Sequence, residues 1–341
     1  MRSFFNDFKS FISFKKNEKF FDTGFFCENK FIFQYLEKYI SKKTLNKKIL
    51  IISFEKIQLP KNKNIKLFVF KSNFFRELFF LTLRLKFFYS STPDLNNSIF
   101  KKSKFSNCKY IYLQHSPISL IAGYNQEAFK SFDAIQAINE YQLIEIKEIS
   151  KKYNLKIKAF RGKYLFFKNK LSNTDNEKKR FDVLIAPSWN TKFYELKCHL
   201  KLSEHLRKND ISYQLRPHPM SIKKREVSFE ELEKNMISIN SDDNLNFNNH
   251  NFLISDWSGI FIEYAFLKNK KCFLINTPRK ILNHEYTSFS SKSIEVDQRN
   301  NLAFTYNVDE IKKLSNDIFN FKTKKIFTKI ENYSEFKSKF Y

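Results

Sequence analysis

Three short segments of this chain place imidazole, guanidinium and hydroxyl groups in patterns that suit group transfer between phosphorylated molecules. In LQHSP an apolar run ends in His115, Ser116 and Pro117. Imidazole titrates near neutral pH, so a histidine at a strand end can take the proton of an attacking hydroxyl. The alternative is a turn histidine bonded to its own backbone. In RPHP the two prolines hold their neighbours extended, so Arg216 and His218 fall on one side of a stiff segment. The guanidinium supplies a planar fork of donors and the imidazole one more, which makes a phosphate grip and a second catalytic candidate. In LISDWSGIFIEYAF an apolar run turns through Ser255, Asp256 and Ser258 into an amphipathic stretch. Ser258 or Asp256 can cap that helix, and Gly259 lets a ligand approach its first N–H groups, which favour an anion. Glu263, one turn on, reads equally as a ribose or acceptor contact and as a solvated helix residue.

Weaker candidates surround these three. Ser188 and Asn190 flank Trp189 just after another apolar run, where they can meet a base or an acceptor. Thr277 ends a further run and can approach phosphate, although an ordinary polar turn explains it as well. His199, His205, His250 and His284 lack neighbouring ligands at metal-site spacing, so no metal site is read and no cofactor is implied. Cys27, Cys108, Cys198 and Cys272 form no CxxC pair and fit a reducing cytosol.

The elements that must carry these residues follow from the rhythm of the chain. From residue 48 onward, short apolar runs at 48–53, 66–70, 86–91, 110–114 and 134–138 alternate with amphipathic stretches at 73–85 and 140–153. Continuous apolar runs suit strands buried on both faces of a parallel sheet. Residues 168–180 hold one apolar residue among many charges and read as a linker. The rhythm then restarts, with strands expected at 181–187, 211–217, 236–239, 252–255 and 272–276 and helices at 192–208 and 259–267. The expected architecture is therefore α/β, with two Rossmann-like doubly wound lobes facing a cleft, the GT-B arrangement. Residues 1–170 form an acceptor lobe and 181–341 a nucleotide-donor lobe, with a helical tail from 308 packing back across the lobes. Ligands in such sheets sit at the carboxyl ends of the strands, where all three segments lie.

Composition limits the partners. A formal net charge of +26 favours phosphorylated or anionic partners without choosing among them. The lysines are dispersed and no nucleic-acid motif is present, so no nucleic-acid partner is expected. The stretch 67–89 is broken by Lys71, Arg76, Glu77, Arg84 and Lys86 and cannot span a bilayer, and the opening segment lacks the pattern of a secretory leader. The expected location is cytoplasmic, with peripheral contact at the inner face of the cell membrane.

Taken in order, QHSP, RPHP and SDWSG resemble the CDP-glycerol glycerophosphotransferase family of teichoic-acid and capsule-type polymerases. The resemblance runs over residues 111–279. It implies that His115 matches the base of an HGT-like motif, His218 the histidine of an RxHP-like strand end, and residues 255–259 an SDYSS-like phosphate-binding turn. Ser116 and Pro117 stand where the family pattern has Gly and Thr, and Gly259 where it has the last Ser. The implied activity is transfer of an alditol phosphate from a CDP-activated donor to a glycan or lipid-linked acceptor, with release of CMP. A glycosyltransferase using a nucleotide sugar, a nucleotide-sugar epimerase and a basic peripheral protein without catalysis are the competing readings.

Overall fold

The computed structural model describes residues 2–45, 47–97, 99–167, 181–240, 245–326 and 329–341. The expected linker at 168–180 lies outside the described residues.

Two parallel sheets carry the fold. The first contains β1 (Thr23–Phe26), β2 (Ile49–Ser53), β3 (Ile65–Val69), β4 (Phe87–Ser90), β5 (Lys109–Tyr112), β6 (Ala134–Ala137) and β7 (Lys158–Arg161) in the order β3-β2-β1-β4-β5-β6-β7. The second contains β8 (Phe181–Ile185), β9 (Tyr213–Leu215), β10 (His250–Ser255), β11 (Cys272–Ile275) and β12 (Ala303–Tyr306) in the order β12-β11-β10-β8-β9. Every named pairing is parallel. The run expected as a strand at 236–239 shrinks to one bridge, Ile239 beside Leu215, on the free edge of β9. Counting that bridge, both lobes share the Rossmann strand order.

The switch point of the second sheet falls between β8 and β10, which pair directly from His250↔Phe181 to Ile254↔Ile185. The loops after these two strands carry Ser188 and Asp256. Strand order alone thus brings two of the candidate segments to the place where such sheets bind ligands.

The expected rhythm begins too late. β1, an inner strand of the first sheet, is only TGFF, flanked by Asp22 and Cys27, and is fully buried. Four residues carry too little pattern to announce a strand. The helix expected over 192–208 spans Cys198–Lys208, because Asn190, Lys192 and Lys197 take positive φ and hold 190–197 as a turn. β7 and β12 likewise lie outside the expected runs.

Phenylalanine builds the first core. Phe14, Phe26, Phe68, Phe70, Phe75, Phe79, Phe80, Phe88 and Phe100 form one buried cluster. Each buried ring contributes roughly 2–3 kcal/mol relative to its exposed state, so their placement is structural whatever the origin of the bias. The tail forms the helices Ile311–Thr323 and Tyr333–Ser338. It then returns to the first lobe, where Phe340 bridges Asn139 and the Tyr341 amide donates to the Ile138 carbonyl at 3.1 Å. Among the described residues no helix is long and apolar enough to cross a membrane.

Candidate active site

His115 follows β5 inside a cage of tyrosines. The Tyr112 hydroxyl lies 3.1 Å from His115 Nδ1 and the Tyr124 hydroxyl 3.4 Å from Nε2. Tyr35 meets the imidazole edge-on at 6.0 Å between ring centroids. Burial, followed by the positive charge of Lys280, pushes the imidazole down to about 4, partly offset by a bond to the Ser91 backbone. It is therefore neutral at pH 7 and able to accept a proton. The longer contact to Tyr124 is the one an incoming hydroxyl can replace.

The segment after His115 packs against the second lobe. A Cβ placed on Gly259 would lie 2.3 Å from Ser116 Oγ and 2.8 Å from Ile118 Cγ2, so the SDWSG turn sits directly on the HSP turn. Tyr164 closes the seam beside them, its hydroxyl 2.8 Å from Glu263 Oε1 and 2.9 Å from the His115 carbonyl oxygen. Glu263 is 6% exposed and is thereby part of the seam rather than a solvated helix residue.

Within the turn the polar groups divide into braces and free donors. Ser255 Oγ donates to the Ala186 carbonyl at 2.6 Å. Asp256 is wholly buried and accepts from the Ser188 amide at 2.7 Å and from Thr191 Oγ1 at 2.6 Å, with Thr277 Oγ1 at 3.5 Å. Burial raises its carboxyl above the usual range, and those bonds hold it down. Asp256 therefore ties together the loops after β8, β10 and β11. Arg299 completes the brace by donating to the Asp256 carbonyl at 2.8 Å and lying 3.9 Å from the Trp257 ring centroid. The Ser258 and Gly259 amides donate to no acceptor among the described residues. Asn190 is exposed, and its amide is held by Glu226 Oε1 at 2.8 Å.

Cations gather on the second lobe's side of the cleft. The Arg216 amide is fixed to the Ile185 carbonyl at 2.8 Å, and Nη1 donates to Asn240 Oδ1 at 3.0 Å. His218 caps the helix Pro219–Lys223, its Nδ1 accepting from the Met220 amide at 3.1 Å. That bond leaves the proton on Nε2, so neutral His218 is a donor. Burial, then the charges of Lys280, His115 and Arg216, push it down to about 3.

Lys280 is the residue the sequence reading missed. Its Nζ lies 4.9 Å from the Trp189 ring centroid, and Trp189 is in turn 6.4 Å from His218. No carboxylate pairs with it among the described residues. Burial lowers the amine to about 8, against the attraction of Glu295, Asp256 and Glu226. Its charge acts on both imidazoles, one from each lobe.

No protein-family model and no curated protein sequence matches the chain. Solved structures share its architecture. The wall teichoic acid polymerase TagF superposes with a TM-score of 0.56 at 16% identity, over 99% of this chain and 92% of that one. A TagF variant soaked with CDPG gives 0.52 at 14% identity, over 98% and 92%. MnaA of S. aureus in a structure with UDP gives 0.54 at 12% identity, over 88% of each chain.

The fold is of the GT-B type. The GT-B cleft explains which candidates meet. His115, Ser116, Gly259 and Glu263 meet in the seam, while the charges of Lys280, His115 and Arg216 all act on the His218 imidazole. Ser188, Ser255, Asp256 and Thr277 instead brace the turns that line the cleft. The tyrosine cage left little trace in the sequence beyond Tyr112, three residues before His115, because Tyr35 and Tyr124 come from two other segments.

Proposed function

We propose that this chain transfers an alditol phosphate from a CDP-activated donor to a hydroxyl of a cell-surface glycan or lipid-linked acceptor, releasing CMP. The observation that carries the reading is the contact between the HSP and SDWSG turns, one from each lobe, beside a neutral imidazole on which the charge of Lys280 acts. The order and types of these residues fit the glycerophosphotransferase pattern, and the GT-B likeness to TagF supports it. His115 takes the proton of the acceptor hydroxyl, whose oxygen bonds to the alditol-bearing phosphorus. The bond from that phosphorus to the bridging oxygen breaks, and CMP leaves with the electron pair.

The protein's share of the work is positioning and charge stabilisation. Arg216, His218 Nε2–H and Lys280 hold the diphosphate, with the Ser258 and Gly259 amides completing the cradle. Asp256 and Arg299 keep the turn in place. The first lobe takes the acceptor and the second the nucleotide. The protein works on the cytoplasmic side, at the inner membrane face where lipid-linked acceptors are reached.

Incubation with CDP-glycerol, CDP-ribitol and several nucleotide sugars, read by the nucleotide released, tests the assignment. CMP release that depends on acceptor is the expected result. Release of a nucleoside diphosphate would make the chain a glycosyltransferase, and conversion of a free nucleotide sugar without acceptor would make it an epimerase.

A further inference from the structure

The first sheet has a switch point of its own. Its order β3-β2-β1-β4-β5-β6-β7 changes direction between β1 and β4, so the crevice beyond the carboxyl ends of those two strands is where such a sheet receives a ligand. Glu28 and Asn29 follow β1, and Ser91 and Thr92 follow β4. Asn29 caps the next helix, Lys30–Thr44, by accepting from the Ile32 amide at 2.9 Å. The Ser91 backbone bonds to the His115 imidazole, so the crevice adjoins the proposed base. β5, which leads to His115, is two places from β1, about 10 Å away at ordinary strand spacing.

Glu28 and Thr92 are held firmly but are not used up. The Glu28 carbonyl accepts from the Phe54 amide at 3.1 Å. The Thr92 amide donates to Ser90 Oγ at 2.9 Å, and the same hydroxyl donates back to the Thr92 carbonyl at 3.0 Å. Thr92 Oγ1 lies 3.4 Å from Glu28 Oε2, and this is the one hydrogen bond the carboxylate receives among the described residues. The chain has 61 Lys and Arg against 35 Asp and Glu, yet this half-buried carboxylate forms no ion pair among the described residues. The charge of Arg76 reaches it from beyond ion-pair distance, and that guanidinium is held by the Phe70 carbonyl at 2.9 Å and Asn73 Oδ1 at 3.0 Å. Asp94, two residues past Thr92, adds a second carboxylate to the rim and accepts from Asn125 Nδ2 at 2.7 Å, next to Tyr124 of the cage.

These groups suit one kind of acceptor. A carboxylate takes hydrogen bonds from the hydroxyls of a polyol, and a threonine hydroxyl both gives and takes them. A phosphate at the same place meets like charge, which costs affinity. We infer that Glu28, aided by Thr92, selects an uncharged polyol or glycan end as the acceptor and rejects a phosphate-bearing one. This rests on the reading that the first lobe brings an acceptor hydroxyl to His115, and it names the class of that acceptor. It also limits the product. Each transfer leaves a phosphodiester beside the new end of the acceptor, and that anion would fall against Glu28 in a second round, so one unit is added per acceptor.

Saturation-transfer NMR on the full chain without donor reads acceptor binding whatever group is later moved. The parent should bind methyl β-lactoside at least about tenfold more tightly than an oligomer of glycerol phosphate. Glu28→Gln should weaken the glycoside by about tenfold and Thr92→Val by a smaller factor, while Glu28→Lys should gain affinity for the oligomer. CDP-glycerol affinity and melting temperature should stay at the parent's values in all three, which a general loss of structure would not allow. The parent's own preference checks the point without any substitution. No glycoside binding, a parent that prefers the oligomer, or equal glycoside binding in Glu28→Gln would each overturn the inference. With CDP-glycerol added, mass spectrometry of the glycoside should show one glycerol phosphate, and a ladder of longer products would overturn the exclusion of phosphate. Glycoside binding that depends on Glu28 but brings no CMP release would instead reject the alditol phosphate reading and leave the role of Glu28 standing.

Discussion

Ser116 and Gly259 face one another across the seam between the lobes, with no room for a side chain on the second. The 2.3 Å gap from a Cβ at 259 to Ser116 Oγ is shorter than any real contact. These are also two of the positions at which the chain departs from the family pattern it resembles, which has Gly after the histidine and Ser at the end of the turn. Read separately, each departure looks like drift. In the fold they are one contact in which the bulk has changed sides. Gly259→Ser should therefore cost about 1–3 kcal/mol through overpacking. Adding Ser116→Gly should restore part of it, the remainder being set by buried Ile118 at 2.8 Å. A double-mutant cycle on thermal unfolding measures the coupling, and strict additivity would show that the two sites do not touch.

His115→Ala removes the proposed base while leaving every donor of the second lobe in place. Turnover should fall by about 10²–10⁴-fold, with CDP-donor affinity measured by calorimetry within a few-fold of the parent. Retained turnover would reject the role of His115.

The parts legible in the sequence were those with local causes. Pro217 and Pro219 display Arg216 and His218 through their own rings, and the run 252–255 is apolar enough to be a strand whatever surrounds it. What the sequence hid depends on partners distant along the chain. β1 is a strand because β2 and β4 flank it on both sides, and its four residues say nothing of that. Ser255 and Asp256 carry the residue types of phosphate ligands. Their bonds to Ala186, Ser188 and Thr191, some 65–69 positions away, make them braces. Lys280 is one lysine among many until the fold brings its charge to bear on two imidazoles.

Lys280 should set the alkaline limb of the reaction. Its amine is lowered to about 8, so the charge that holds the diphosphate is present below that pH and is lost as pH rises through it. The profile of kcat/KM should stay level from about pH 5, above the His115 value of about 4, and fall near 8. Lys280→Arg should carry the plateau beyond pH 10, because guanidinium stays charged there. An alkaline limb that does not move in this variant would separate Lys280 from donor binding.

Glu145 gives the seam a pH dependence of its own. Its carboxylate oxygens accept from Ser119 Oγ at 2.5 Å and from the Leu120 amide at 2.6 Å, while Glu295, the second buried carboxyl, accepts from the Ser119 amide at 3.0 Å. Burial, with a contribution from Glu295, raises Glu145 to about 8, and Glu295 Oε2 is buried without a partner. A raised carboxyl stabilises the fold fully below its unfolded value of 4.5, and this contribution fades as pH rises through about 8. Over that window the loss amounts to roughly 3–5 kcal/mol. Glu145→Gln keeps an acceptor for the Leu120 amide, offers Ser119 Oγ an N–H donor in place of the acceptor, and removes the titration. Melting temperatures from pH 4.5 to 9 should therefore decline less steeply in the variant, leaving it the more stable of the two above pH 8. Parallel curves would show that Glu145 keeps its charge in the folded protein.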